Sequence, residues 1–179
     1  RNAKNVFIRK YGDCKDMASI ITEMAKYADV PNVNFTWIGS RELPYKYNEL
    51  STPAVDNHMI ATYIKDDQII YLDATDENVP YGFPSSFTQG KEALIAQGNT
   101  YKLAVVPEIS SEYNSINDII TLSLDQNKIV GNGIYTANGL LASSFRNSIG
   151  DNQKNRKDFA IALLKKGSNK FKLNDYNEI

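Results

Sequence analysis

The 179-residue chain contains one cysteine and one histidine. Any Cys–His chemistry within it must therefore use Cys14 and His58. Cys14 lies in Tyr-Gly-Asp-Cys-Lys-Asp, directly before a segment of helical periodicity, and Asp73 follows His58 in Tyr-Leu-Asp-Ala-Thr. A thiol at a helix N-terminus is shifted toward thiolate by the aligned peptide dipoles, and a facing imidazolium shifts it further. A carboxylate behind the histidine fixes its tautomer and stabilises the charged ring. Together these are the parts of an activated cysteine nucleophile for attack on an amide carbonyl. The N–H groups at the same helix start can face a developing oxyanion. Two plainer readings stand beside this one. A lone cysteine on an amphipathic helix is commonly a small buried hydrophobe, and an aspartate before Ala-Thr is a common turn residue.

Those three residues meet only if particular elements form. Met17, Ile21, Met24 and Ala28 recur at the spacing of one helix face, so the periodicity predicts a helix from about Cys14 with that face inward. Asp13 is the expected N-cap, Gly12 supplies the turn before it, and Asp16 places negative charge in the first turn. Asp29 and Val30-Pro31 end the helix. Val33 to Gly39 reads as a strand, and Asn57–Ile64 with Gln68–Thr75 reads as a β-hairpin. Side chains alternate along strands, so the loop decides whether His58 meets Asp73. A Lys65-Asp66 loop sets them directly opposite. An Asp66-Asp67 loop makes them diagonal neighbours on one face. Either register leaves the Cβ atoms about 4.5–8 Å apart, whereas an odd loop separates them onto opposite faces.

The rest of the chain is read more coarsely. Residues 77–98 are irregular, with one helical turn near Lys91–Ala96, and Tyr101–Val106 is a further strand ended by Pro107. Beyond it a linker leads to a second hairpin (Asp118–Asp125 and Lys128–Ala137), two helices around Phe145 and Phe159, and a strand-like end, residues 169–179. Gly131 and Gly133 lack the strand–loop–helix context of a phosphate loop and read as bulge or turn residues. The fold class is α+β: a core over 1–107 and part of a mixed β/α domain over 108–179.

A formal net charge of −1, with Lys and Arg scattered, argues against nucleic acid as a partner. No apolar run approaches the ~20 residues of a membrane span. No organic cofactor and no metal is implied. The chain opens on Arg1 rather than Met and stops at Ile179, so further domains are expected on both sides.

The stretches YGDCKDMASIITEMAKYADV, DNHMIATYI and YLDATDENVPYGFPSSFTQGKEALI together resemble the transglutaminase-like superfamily, and within it the bacterial branch with a GDCKD motif. The resemblance covers residues 1–106. It implies a papain-like Cys-His-Asp core: a helix with cysteine at its N-terminus packed on an antiparallel sheet carrying His and Asp. It further implies Cys14 as nucleophile, His58 as general base and acid, Asp73 as orienting carboxylate, and a periplasmic or extracytoplasmic setting. Residues 108–179 are similar, more loosely, to the β-rich domain that follows this core in that branch, implying scaffold or partner contact. Two departures stand out: the helices that precede the cysteine helix in the superfamily are almost absent, and no residue upstream of Cys14 is assigned to an oxyanion hole.

Such a centre acts on a protein or peptide substrate as protease, deamidase or cross-linker, according to whether water or an amine accepts the acyl group. The alternatives are a non-catalytic interaction module that keeps the fold, and a zinc site using Cys14, His58 and Asp73. Trp37, Tyr45, Tyr47, Tyr81 and Phe83 are aromatics available to line a cleft, with core packing the favoured role for Trp37.

Overall fold

The structure, a computed structural model, describes residues 2–149, 153–167 and 169–178. Arg1 and Ile179, the two ends named above, lie outside them. The chain is mixed α+β and divides into two compact units, residues 1–110 and 111–179.

The first unit opens with a helix the sequence reading lacked, α1 (Ala3–Arg9), whose N-cap Asn2 accepts from the Lys4 N–H. α2 (Cys14–Tyr27) starts where its cap predicts. Asp13 and Asp16 form a reciprocal capping box, each carboxylate accepting the other's backbone N–H at 3.1 Å. Its C-terminus closes with Asp29 at φ 53° and hydrogen bonds from Val30 N to Ala25 O and Asp29 N to Lys26 O. That pairing is the Schellman arrangement. Gly12 serves space rather than turn geometry: a Cβ there would lie 2.5 Å from the Asp16 Cβ and 2.8 Å from Val6 Cγ1. Only a glycine lets α1 come this close to the start of α2.

The buried face of α2 differs from the predicted one. Ala18 and Thr22 are 1% and 2% exposed, whereas Met24 is 56% exposed. Small side chains let the helix approach the strands it packs on, β1 (Val33–Ile38) and β2 (His58–Lys65). Thr22 buries its hydroxyl at no cost, because it donates to the Ala18 and Ser19 carbonyls.

β1 and β2 are the centre of a five-stranded antiparallel sheet with β3 (Gln68–Leu72), β4 (Glu92–Gln97) and β5 (Thr100–Val105), in the order β3-β2-β1-β4-β5. β4 stands where a helical turn was expected. Its Ala93 and Ile95 are fully buried and pair with Ile38 and Thr36 of β1, so alternation and sheet pairing override the helix-favouring composition of Lys-Glu-Ala-Leu. The sheet curls: the Tyr71 hydroxyl on edge strand β3 donates to the Val105 carbonyl on the opposite edge at 3.4 Å. Ile38, Ile60, Tyr71, Ala93 and Val106 form the core cluster, and each fully buried isoleucine contributes roughly 1.5–3 kcal/mol.

The second unit carries a long hairpin, β6 (Ile116–Asp125) and β7 (Lys128–Ala137), followed by α3 (Gly139–Ile149) and α4 (Gln153–Leu164). Gly131 and Gly133 are neither bulge nor turn. They sit in unbroken register opposite Leu122 and Ile120, and a Cβ at Gly131 would lie 2.6 Å from Leu122 Cδ2. Phe145 and Phe159 meet edge to face at 5.5 Å. Residues 171–178 carry no regular structure, in place of the expected strand: no neighbouring strand among the described residues pairs with them.

Inside the curled sheet Thr36 and Thr62, both fully buried, share a hydrogen bond of 2.9 Å between their hydroxyls. Thr62→Val strands the Thr36 hydroxyl and is expected to cost about 1–3 kcal/mol. The double variant Thr36→Val/Thr62→Val should recover most of that loss. Urea unfolding of the four proteins checks it; additive losses would show that the pair is not coupled.

Candidate functional site

Cys14 is the first residue of α2 and is half-buried. Its position follows from the cap. Asp13 is extended and takes the Asp16 N–H, which fixes Cys14 as the first helical residue. Neither the Cys14 nor the Lys15 N–H makes a hydrogen bond among the described residues.

His58 and Asp73 are brought together. The β2–β3 connection is a two-residue turn at Asp66-Asp67, both with positive φ (48° and 64°), the geometry that matches the twist of flanking strands. It pairs Lys65 with Gln68 and Ala61 with Leu72. Of the two registers left open, this is the diagonal one. His58 Nε2 lies 2.8 Å from Asp73 Oδ2, with the two side chains only 10% and 4% exposed.

Asp73 is held from three sides. Ser85 Oγ donates to Oδ2 at 2.6 Å, and the Thr75 N–H and hydroxyl donate to Oδ1 at 3.1 and 2.6 Å. Burial alone would raise the carboxyl pKa. The hydrogen bonds from His58, Ser85 and Thr75 and the His58 charge outweigh it and hold the group down to about 2. Phe87 packs edge-on against the imidazole, 4.9 Å between ring centres. With Nε2 committed to Asp73, the other ring nitrogen, Nδ1, has no hydrogen-bond partner among the described residues.

The thiol itself is not joined to this pair. Among the described residues the Cys14 thiol takes part in no hydrogen bond, with His58 or any other group. Beside His58 lies a cleft of about 530 Å³ lined by Lys15, Trp37, Asp56, His58, Met59 and the 52–54 turn, with Asn57; Cys14 is not among its lining residues, although Lys15, which follows it, is. Trp37 thus lines a cleft rather than serving only as core. Tyr45 and Tyr47 act one step behind it. Both hydroxyls donate to Asp56, one to each carboxylate oxygen. Burial first, and the Asp56 hydrogen bond second, push both phenol pKa values well above the ordinary one. Asn57 binds Ser40 through its N–H and hydroxyl, and Lys91 donates to the Leu43 and Tyr45 carbonyls at 2.7 and 2.9 Å. These contacts tie the segment entering His58 to the 40–47 loop. Tyr81 is exposed, and Phe83 is not among the cleft residues.

Sequence reasoning missed Ser85, Phe87, Lys15 and Asp56. Thr75 was legible, since Asp-Ala-Thr is an Asx-turn pattern; Ser85 and Phe87 reach the site across a loop that leaves no local signature. No group of three or more His, Cys, Asp or Glu side chains arranged to hold a metal occurs among the described residues, and none of the helices described is long and apolar enough to cross a membrane. Neither a protein-family model, nor a curated protein, nor a solved structure matches this chain.

The depressed Asp73 pKa carries a stability prediction. A carboxyl whose folded value lies below its ordinary one stabilises fully above about pH 4, and that contribution is lost as the pH falls toward 2. It amounts to on the order of 2 kcal/mol. Urea unfolding of the wild type between pH 5 and pH 2 should show the loss. Ser85→Ala should shift it to higher pH, and Asp73→Asn should flatten it. An unchanged pH slope in Asp73→Asn would remove Asp73 as the group responsible.

Proposed function

We propose that residues 1–107 form a transglutaminase-like core that performs thiol-dependent acyl transfer or amide hydrolysis on a protein or peptide substrate. The observation that carries this reading is the orientation of His58. Asp73 holds Nε2 at 2.8 Å from a nearly dry pocket, leaving Nδ1 as the nitrogen for proton traffic. An imidazole braced by a carboxylate on one nitrogen and free on the other is the base that a cysteine nucleophile requires.

In this reading Nδ1 takes the Cys14 proton and the thiolate attacks an amide carbonyl of the substrate. The oxyanion faces the Cys14 and Lys15 N–H groups, which no protein acceptor occupies. The imidazolium then gives its proton to the departing amine, and a thioester remains. Water or a primary amine attacks that thioester and gives a proton to Nδ1, the C–S bond breaks, and the thiolate leaves beside the imidazolium, which returns the proton to it. Asp73 touches no reacting atom; it fixes the tautomer and balances the transient charge. Residues 108–179 would serve scaffold or partner contact. An extracytoplasmic setting belongs to the same proposal.

A second reading, a non-catalytic module that keeps this fold, is favoured by one observation: the Cys14 thiol makes no hydrogen bond to His58. Mass spectrometry after incubation with a glutaminyl peptide separates the two. A covalent acyl adduct on Cys14, with ammonia release or amine incorporation, supports the enzyme. Asp73→Asn should then lower kcat by about 10²–10⁴-fold with the adduct still on Cys14, and Cys14→Ala should abolish turnover. No adduct on wild-type Cys14 with any amide or ester donor leaves the module.

A further inference from the structure

The cleft holds three ionisable side chains, Lys15, Asp56 and His58, and two of them are already committed. The Asp56 carboxylate keeps its charge, but both its oxygens accept tyrosine hydroxyls and it forms no ion pair with Lys15, and His58 is paired with Asp73. The acids beside Lys15 in sequence are committed as well, since Asp13 and Asp16 cap each other's backbone. Lys15 forms no ion pair among the described residues. Its charge adds to the positive end of the α2 dipole at the same rim. The apolar part of the lining comes from Trp37, Met59, Pro53 and Ala54.

We infer that this cleft selects an anionic peptide: an acyl donor carrying a carboxylate side chain that pairs with Lys15, with apolar atoms lying on Trp37 and Met59. The inference rests on the acyl-transfer reading only for which carbonyl reacts. Lys15 directly follows Cys14, an extended peptide advances about 3.3 Å per residue, and a lysine side chain spans roughly two such steps. The acidic residue is therefore one or two positions from the reacting amide. A basic residue there is repelled, and a neutral one leaves Lys15 solvated.

Trp37 is the only tryptophan in the chain, so its fluorescence reports occupancy of the cleft directly. The probes are two capped glutaminyl tetrapeptides that differ only in one glutamate or glutamine next to the reacting residue. They are titrated into the full chain carrying Cys14→Ala, with and without Lys15→Gln. The glutamate peptide should bind about fivefold tighter, the preference should shrink with added salt, and Lys15→Gln should abolish it. Equal affinities, a preference that survives Lys15→Gln, or no fluorescence change with either peptide to about 10 mM would each overturn the inference. Trp37 emission under urea shows that each variant is folded. Adduct formation on the unaltered chain is scored separately. An acid preference without an adduct sinks the enzyme and supports the selective cleft; an adduct without a preference sinks only the selectivity.

Discussion

The two-residue turn at Asp66-Asp67 sets everything that follows in the first unit. Shifting a hairpin by one residue turns every side chain to the other face. With Lys65 against Gln68, the same face of β2 and β3 carries His58, Ile60 and Thr62 beside Ile69, Tyr71 and Asp73. The register that buries Ile60 and Tyr71 in the core is thus the register that points His58 and Asp73 at each other. Core burial enforces the polar pair, since no slipped hairpin keeps one without the other. An aspartate in the left-handed region costs less than most residues there, so two consecutive aspartates suit this turn better than Lys65-Asp66 would.

A carboxylate with 4% of its side chain exposed would be costly without partners. Four hydrogen bonds, from His58, Ser85 and Thr75, offset that cost. The same logic repeats at Asp56, whose two oxygens take Tyr45 and Tyr47. Both acids sit next to the cleft, yet neither presents a free oxygen to it. The acids serve the architecture, and the uncommitted polar groups near the cleft include, among the described residues, Lys15, the Nδ1 of His58 and the first N–H groups of α2.

Parts of this arrangement were legible because they are local. Asp13 caps a helix and Asp16 returns the bond; Val-Asn-Phe-Thr-Trp-Ile alternates; Gln-Asn and Asp-Asp mark turns. The parts that were missed depend on contacts distant in sequence. Met17, Ile21, Met24 and Ala28 make the more apolar stripe of α2, but a helix lying close on a sheet selects small residues, and Ala18 and Thr22 took that role. Lys-Glu-Ala-Leu-Ile-Ala-Gln has helical composition, and only pairing to β1 on one side and β5 on the other makes it β4. Ser85 finds Asp73 through a turn-rich loop, and no pattern within residues 77–90 announces it.

The two halves of the candidate site are built to different standards, and the difference follows from cost. The His58–Asp73 half buries charge, which demands a fixed set of donors and a register that cannot slip. The Cys14 half needs only a small, weakly polar side chain at a capped helix start, where a thiol without a partner is tolerated almost as a methyl group is. Its absence of a hydrogen bond to Nδ1 is therefore a cheap defect, whereas a missing Asp73 would be a costly one. Under the proposed acyl-transfer reading, the costly element of the site, the braced imidazole, is the one that stands assembled, and the thiol is the element that costs least to place.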